Sequence, residues 1–62
     1  MINIAKIRYE KGISQRELAD KIGLTDSAIC QYENGKRSPN IQTLKKIAQV
    51  LNCTVDDLIK ED

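Results

Sequence analysis

SQRELADKIGLTDSAICQYENG, residues 14–35, is the stretch that decides the fold of this chain. Its first part carries the signals of a helix start. Ser14 is a favourable N-cap, and Glu17, three residues later, completes a capping box. The apolar positions that follow recur at helical spacing, at Leu18, Ala19 and Ile22. The pattern predicts a short amphipathic helix that begins at Gln15.

The second part of the stretch predicts a turn and another helix. Gly23 falls where a helix ends in the left-handed conformation, which glycine adopts at little cost. Leu24 is the expected apolar anchor of the turn. Thr25 is the expected N-cap of the next helix, which carries Ile29 and Tyr32 on its inner face. Two helices joined at a wide angle by such a turn form a helix-turn-helix, whose second helix can enter the major groove of DNA. An ordinary helical hairpin without a nucleic-acid role is the alternative.

Three more helices are predicted outside this stretch. The first begins after Asn3 and ends at Lys11, before a glycine stop. A fourth helix covers residues 41–51, and a short fifth helix follows the N-cap Thr54. The predicted fold is therefore all-α, in the order helix, helix-turn-helix, helix, helix. The expected core residues are Ile4, Ile7, Ile13, Leu18, Ile22, Leu24, Ile29, Ile41, Leu44, Ile47, Leu51, Val55, Leu58 and Ile59.

Length and composition set limits on the function. Sixty-two residues form a single domain, 1–62, with an aliphatic core because Phe and Trp are absent. No apolar run approaches the ~20 residues of a membrane span, and the N-terminus lacks a signal-peptide pattern. We therefore expect a soluble cytoplasmic protein without a membrane partner. The net charge is only +1, but residues 1–37 hold seven Lys and Arg against five Asp and Glu, which favours a basic face in that part.

The two cysteines do not predict a metal site. Cys30 and Cys53 are far apart in sequence, and the chain has no histidine. We expect no metal, no cofactor and no enzymatic activity, because no nucleophile has a base beside it. Cys53 is interpreted as a half-buried filler. Cys30 lies off the predicted core face, where a thiol is either an ordinary surface residue or a sensor of oxidants.

A series of residues across the chain matches a known pattern. The matching residues are Ile13-Ser14-Gln15, Leu18-Ala19, Ile22-Gly23-Leu24-Thr25, Ile29, Tyr32-Glu33-Asn34-Gly35-Lys36-Arg37, Pro39 and residues 44–51. In these residues the chain resembles the lambda-type phage repressor and Cro helix-turn-helix family, also called the xenobiotic-response-element class. The resemblance extends over nearly the whole chain. It implies a compact five-helix, lambda-repressor-like domain that binds DNA, in which helices 2 and 3 form the helix-turn-helix.

The start of the second helix of the motif, about residues 26–34, carries the candidate base contacts. They are Asp26, Ser27, Ala28 and Gln31, which also match the positions that face the groove in the family. Gln31 can form two hydrogen bonds to an adenine edge, and Ala28 can meet a thymine methyl group. Asp26 departs from the polar or basic residues common in the family. Its carboxylate either accepts from a cytosine amino group or stabilises the start of the helix.

Contacts to phosphates position a protein on DNA without reading its sequence. Gln15 opens helix 2, where free backbone N–H groups and its own amide can meet a phosphate. The other expected phosphate contacts are Arg16, Asn34, Lys36 and Arg37. The family uses positions like those of Gln15 and Asn34 in this way. A solvated surface charge is the alternative for Arg16.

The resemblance also implies a structural role for one charged pair. Arg8 lies near the inner face of the first helix, and Glu33 lies near the end of the third. Positions like these commonly form an internal ion pair in the family, which ties the first helix to the DNA-reading helix. In that role neither residue contacts bases directly.

The function predicted from these patterns is sequence-specific binding of double-stranded DNA by a transcriptional regulator, most simply a repressor. The family resemblance and the low net charge favour a homodimer on a palindromic operator. The expected dimer contacts lie far from the DNA-reading helix, at Val50, Asn52, Cys53 and Val55. The alternative is a protein-interaction adaptor of the same fold that does not read DNA, which the near-neutral charge and Asp26 would suit.

Overall fold

Five α-helices form the regular structure of residues 3–59, the part of the chain that the computed structural model describes. They are α1 (Ile4–Glu10), α2 (Gln15–Ile22), α3 (Asp26–Glu33), α4 (Ile41–Val50) and α5 (Val55–Ile59). Residues 3–59 contain no strand, so the predicted all-α fold is confirmed. Helices α1 and α4 each end one residue earlier than predicted, because Lys11 and Leu51 are their C-caps.

The helix-turn-helix formed by α2 and α3 has the predicted caps. The Ser14 hydroxyl accepts a hydrogen bond from the backbone N–H of Glu17 at 3.0 Å, and the Thr25 hydroxyl accepts from Ala28 at 3.2 Å. Between the helices, Gly23 has a φ of 74°. Because this left-handed conformation disfavours residues with a Cβ atom, the glycine sets the direction in which the chain leaves α2.

Similar local signals start α4 and α5. Asn40 caps α4 by accepting from the backbone N–H of Thr43 at 2.8 Å. Asn52 follows Leu51, the C-cap of α4, and is left-handed with a φ of 55°. Thr54 and Asp57 then form a reciprocal capping box, in which each side chain accepts from the backbone N–H of the other, at 3.0 and 3.2 Å. A five-residue helix is marginal alone, so these caps are needed to define α5.

The core is made from one face of each helix. α2 packs against α3 and α4, α4 packs against α5, and α1 contacts α3. The largest fully buried side chains are Ile4, Leu18, Ile29, Ile47, Leu51 and Leu58. Ala19 is also fully buried, and its small side chain suits the close approach of α2 to its neighbours. None of the described helices is both long enough and apolar enough to span a membrane.

Three residues predicted in the core are exposed instead. Leu24 is 37% exposed, Ile41 57% and Ile59 49%. Each lies at the edge of an element: Leu24 in the turn, Ile41 at the first position of α4 and Ile59 at the last position of α5. A domain this small has no further layer to cover its edges. The prediction that Leu24 anchors the turn inside the core is therefore wrong.

The beginning of the described chain is joined to its last helix. The backbone N–H of Asn3 donates to the carbonyl oxygen of Leu58 at 2.6 Å. Leu58 is the fully buried residue of α5, and Ile4, next to Asn3, is the fully buried residue of α1. This bond therefore joins two helices that lie at opposite ends of the sequence.

Candidate nucleic-acid interface

The start of α3 presents a polar surface. Asp26 and Ser27 are exposed there, and Gln31, one turn further on, is half-buried. The fourth predicted base contact is not on this surface, because Ala28 is only 9% exposed and belongs to the core cluster. Residues 28 and 32 are four apart and share a helix face, so Ala28 lies inward with Tyr32. The structure therefore corrects the prediction that Ala28 faces outward.

An open groove lies beside the first turn of α3. It is lined by Arg16 and Asp20 from α2 and by Leu24, Thr25 and Asp26. The Asp26 carboxylate lies at the positive end of the α3 dipole, which stabilises its charge. Arg16 brings a positive charge to the same groove. An anionic partner that approaches here therefore meets a guanidinium as well as a carboxylate.

The ends of α1, α2 and α3 meet at the Glu33 carboxylate. Glu33 Oε2 accepts from Arg8 Nε at 2.7 Å, and Glu33 Oε1 accepts from Arg8 Nη2 at 3.1 Å. Gln15 Nε2 donates to the same Oε1 at 2.9 Å. Arg8 Nη1 donates to the carbonyl oxygen of Ile13 at 2.9 Å. The planar guanidinium thus grips the carboxylate with two parallel bonds, the strongest geometry for such a pair.

This cluster is shielded from water. Arg8 is only 5% exposed, and the side chain of Glu33 is almost as buried. The hydrogen bond with Glu33 raises the pKa of Arg8, burial opposes that shift, and the neighbouring Tyr9 side chain adds to it. The Arg8 guanidinium is therefore held in its charged form. The structure thus brings Arg8 and Glu33 together, away from the surface that Asp26 and Ser27 present.

The amide of Gln15 has a second role that the sequence did not reveal. Sequence reasoning placed it against a phosphate, whereas the structure commits one of its two amide N–H groups to Glu33. The amide is thereby oriented at the start of α2, where its second N–H and the first backbone N–H groups of the helix lie. No local pattern signals this bond, since the two residues are 18 positions apart.

The segment after α3 is exposed and basic. Asn34, Lys36 and Arg37 are all exposed. The backbone N–H groups of Lys36 and Arg37 donate to the carbonyl oxygen of Gln31, at 2.9 and 3.3 Å, so the loop is fixed to the last turn of α3. Arg37 Cζ lies 5.8 Å from the centre of the Tyr32 ring, within the range of a cation–π contact. The backbone of this loop therefore has a defined place beside the helix, and the Arg37 guanidinium is held near Tyr32.

Cys30 and Cys53 are free thiols and both are half-buried. Asn34 Nδ2 donates to Cys30 Sγ at 3.3 Å, which orients the asparagine at the end of α3. Burial raises the pKa of Cys53, which suits a filler at the core edge and not a reactive thiol. Among residues 3–59, no group of three or more His, Cys, Asp or Glu side chains could hold a metal ion.

The fold agrees with comparisons to known proteins. A family model described as helix-turn-helix matches residues 4–58. The chain belongs to the Cro/C1-type helix-turn-helix family. Within that family, it is 40% identical over 58 residues to the uncharacterised HTH-type transcriptional regulator YqaE of Bacillus subtilis, which covers 94% of this chain and 50% of YqaE. It is also 40% identical to the HTH-type transcriptional regulator PuuR of Escherichia coli, over 94% of this chain and 31% of PuuR.

Solved structures of family members superpose closely on the five helices. The P22 c2 repressor in complex with a synthetic operator has a TM-score of 0.87 and 32% identity, over 97% of this chain and 91% of that one. The biofilm regulator SinR in complex with DNA has a TM-score of 0.85 and 37% identity, over 94% of both chains. The chain spans about half the length of YqaE and of a second Bacillus subtilis regulator, YonR. The shared part is thus the helix-turn-helix domain.

Proposed function

We propose that this chain is a cytoplasmic transcriptional regulator, most simply a repressor, that binds double-stranded DNA in a sequence-specific manner. In this proposal α3 enters the major groove. Asp26, Ser27 and Gln31 contact base edges there. The phosphate contacts come from Gln15, Arg16, Asn34, Lys36 and Arg37.

One observation carries the proposal. The polar start of α3 and the basic loop after it lie on the outside of a helix-turn-helix. Its fold is shared with the P22 c2 repressor on an operator and with the regulator SinR on DNA. The N-terminal residues of the second helix in such a motif reach base edges, while the flanking segments contact the backbone. Phosphate contacts by Lys36 and Arg37 would fix the register, and Gln31 would supply discrimination between bases.

The Glu33 cluster supports the same arrangement. A carboxylate at the end of the recognition helix would repel phosphates if it were free. Two bonds from Arg8 neutralise it, and the third bond holds the Gln15 amide at the start of α2. A negative residue thus organises the proposed phosphate site without exposing its charge.

We further propose that the chain binds as a homodimer on a palindromic operator. One recognition helix covers only a few base pairs, and a net charge of +1 provides little attraction that is independent of sequence. Two copies would place their α3 helices in half-sites about 34 Å apart. Around the connection of α4 and α5, Val50, Cys53 and Val55 are half-buried and Asn52 is exposed, which suits a small interface.

Selection of bound duplexes from a random DNA pool tests the proposal. We expect a palindromic consensus sequence. The logarithm of the affinity for the selected duplex should fall linearly with the logarithm of the salt concentration. Sedimentation should show two chains per palindrome, and Val55→Glu should weaken that complex. A single chain per palindrome, with Val55→Glu binding as wild type, would contradict the dimer.

The selection also separates DNA binding from the second candidate function. The near-neutral charge and the exposed Asp26 favour a protein-interaction adaptor that uses the same helices. Such an adaptor would yield no enriched sequence from the pool. Its residual binding to DNA would be equal for all duplexes and would vanish at moderate salt.

A further inference from the structure

Tyr9 is the most exposed large apolar side chain of residues 3–59, with 72% of its surface in contact with solvent. It lies next to the end of α1, six positions before Gln15, where α2 begins. The sequence analysis assigned it no role. Its surroundings are unusual for a surface residue, since its ring lies 4.5 Å from Cζ of the buried Arg8.

The contacts of Arg8 link Tyr9 to the proposed phosphate site. Arg8 binds Glu33 through Nε and Nη2, and Glu33 binds the amide of Gln15. Tyr9 is therefore connected to Gln15 through the ion pair. The backbone is fixed as well, because the Tyr9 carbonyl accepts from Gly12 at 3.1 Å, in the turn that leads to α2.

The contact between the two side chains leaves the Tyr9 hydroxyl proton available. The guanidinium lies over the ring of Tyr9 and has donors only, so it cannot accept that proton. The residue is 72% exposed, so a partner in solvent can reach the hydroxyl. An exposed O–H donor near a neutralised carboxylate is suited to an anionic acceptor.

We propose that the Tyr9 hydroxyl donates a hydrogen bond to a DNA phosphate at the start of α2, beside the one that Gln15 meets. This inference rests on the proposed DNA binding, and it adds α1 to the helices that contact the sugar-phosphate backbone of DNA. Tyrosine hydroxyls are among the side chains that contact phosphates in protein–DNA complexes. The ring also covers Arg8, which keeps water from the ion pair beneath it.

Tyr9→Phe tests the hydroxyl alone. On the best duplex selected from the pool, we expect the affinity to fall about three- to tenfold, as for one exposed hydrogen bond to an anion. The loss should be the same on an unrelated duplex, because a phosphate contact carries no sequence information. The salt slope should stay unchanged, because tyrosine is neutral and releases no counterion.

Lys36→Ala is the matched control, because it removes a charged contact in the same interface. It should lower the affinity and also reduce the magnitude of the salt slope by about one. Tyr9→Phe should melt at the same temperature as wild type. A second variant, Tyr9→Ala, removes the ring as well and should bind more weakly than Tyr9→Phe.

The outcomes separate the two proposals. If Tyr9→Phe binds within twofold of wild type at every salt concentration while Lys36→Ala binds weakly, the contact of Tyr9 is refuted and DNA binding stands. If wild type selects no sequence and binds no duplex, both proposals fail. A Tyr9→Phe defect confined to one base position would also overturn the phosphate contact.

Discussion

Gln15, the first residue of α2, donates a hydrogen bond of 2.9 Å to Glu33, the last residue of α3. Arg8 binds the same carboxylate, so α1 is joined to both helices at this point. The angle of the helix-turn-helix is therefore fixed at two places. The turn around Gly23 fixes one end, and this three-residue cluster fixes the other.

We expect the effects of substituting Arg8 and Glu33 on the free energy of unfolding to be strongly coupled. Arg8→Met leaves a buried carboxylate unpaired and should lower the free energy of unfolding by about 3–5 kcal/mol. Glu33→Gln leaves the guanidinium buried without its anion and should also be costly. The double variant Arg8→Met/Glu33→Gln should recover much of the loss, because no charge is then left unpaired. Urea unfolding of the three variants measures this coupling, and strictly additive losses would contradict it.

The proposed base contacts predict a defect of a different kind. Gln31→Ala should weaken binding to the selected duplex by about 1–3 kcal/mol and relax the preference at one base position. Arg37→Ala should instead weaken binding to all duplexes alike. Fluorescence binding with duplexes changed at single positions distinguishes the two. A Gln31→Ala variant with unchanged affinity and unchanged preference would show that the recognition surface lies elsewhere.

The close packing of α2 predicts the effect of enlarging Ala19. Its side chain is fully buried, so Ala19→Leu should overpack the core and lower the free energy of unfolding by about 1–3 kcal/mol. Lys21→Ala, on the exposed face of the same helix, is the control and should change little. Thermal melts of both variants provide the measurement. Equal melting temperatures would mean that α2 does not pack as described.

Substitutions of Gly23 should lower stability through backbone conformation and not through steric crowding. A Cβ atom added there would meet nothing within 4 Å, yet φ is +74°. Gly23→Val should therefore cost at least about 1–2 kcal/mol from the left-handed conformation alone. Gly23→Asn should cost less, because asparagine adopts this conformation more readily. If the two variants unfold at the same urea concentration, conformation is not what the glycine provides.

Ionisation of the Cys53 thiol should lower the stability of the protein at alkaline pH. Burial raises the pKa of its thiol above the ordinary value of 9.0, and the Asp57 carboxylate adds to this shift. The folded chain then holds the thiol proton more tightly than the unfolded chain. Its contribution to stability is complete below about pH 9 and is lost as pH rises through the folded pKa. The free energy of unfolding should fall less steeply above pH 9 in Cys53→Ala than in Cys30→Ala, and equal slopes would refute the assignment.

Sequence reasoning succeeded where a local rule decides the structure. Ser14, Thr25 and Asn40 cap helices because each can bond a backbone N–H three residues later, and the sequence alone shows that spacing. Gly23 and Asn52 adopt the left-handed conformations expected of them. With these signals, each helix end that was predicted from the sequence lies within one residue of the observed end.

Sequence reasoning failed where the answer depends on a distant neighbour. The exposure of Ile41 and the burial of Ala28 are set by which helix covers each position, and helical spacing does not contain that information. The bond from Gln15 to Glu33 crosses between helices and has no sequence signal either. The family resemblance did lead to the pair of Arg8 and Glu33, which the structure brings together, whereas the bond from Gln15 to that pair could not be predicted.

The bond from Asn3 to Leu58 has a consequence for how the molecule opens. Helix ends usually fray independently, so α1 and the five-residue α5 would each be expected to unravel at its own rate. Because the Asn3 N–H is held by the carbonyl of the buried Leu58, α5 cannot leave the core without releasing the start of α1. Opening of α5 should therefore expose the Asn3 amide as well, so that amide should exchange with solvent only as fast as α5 leaves the core.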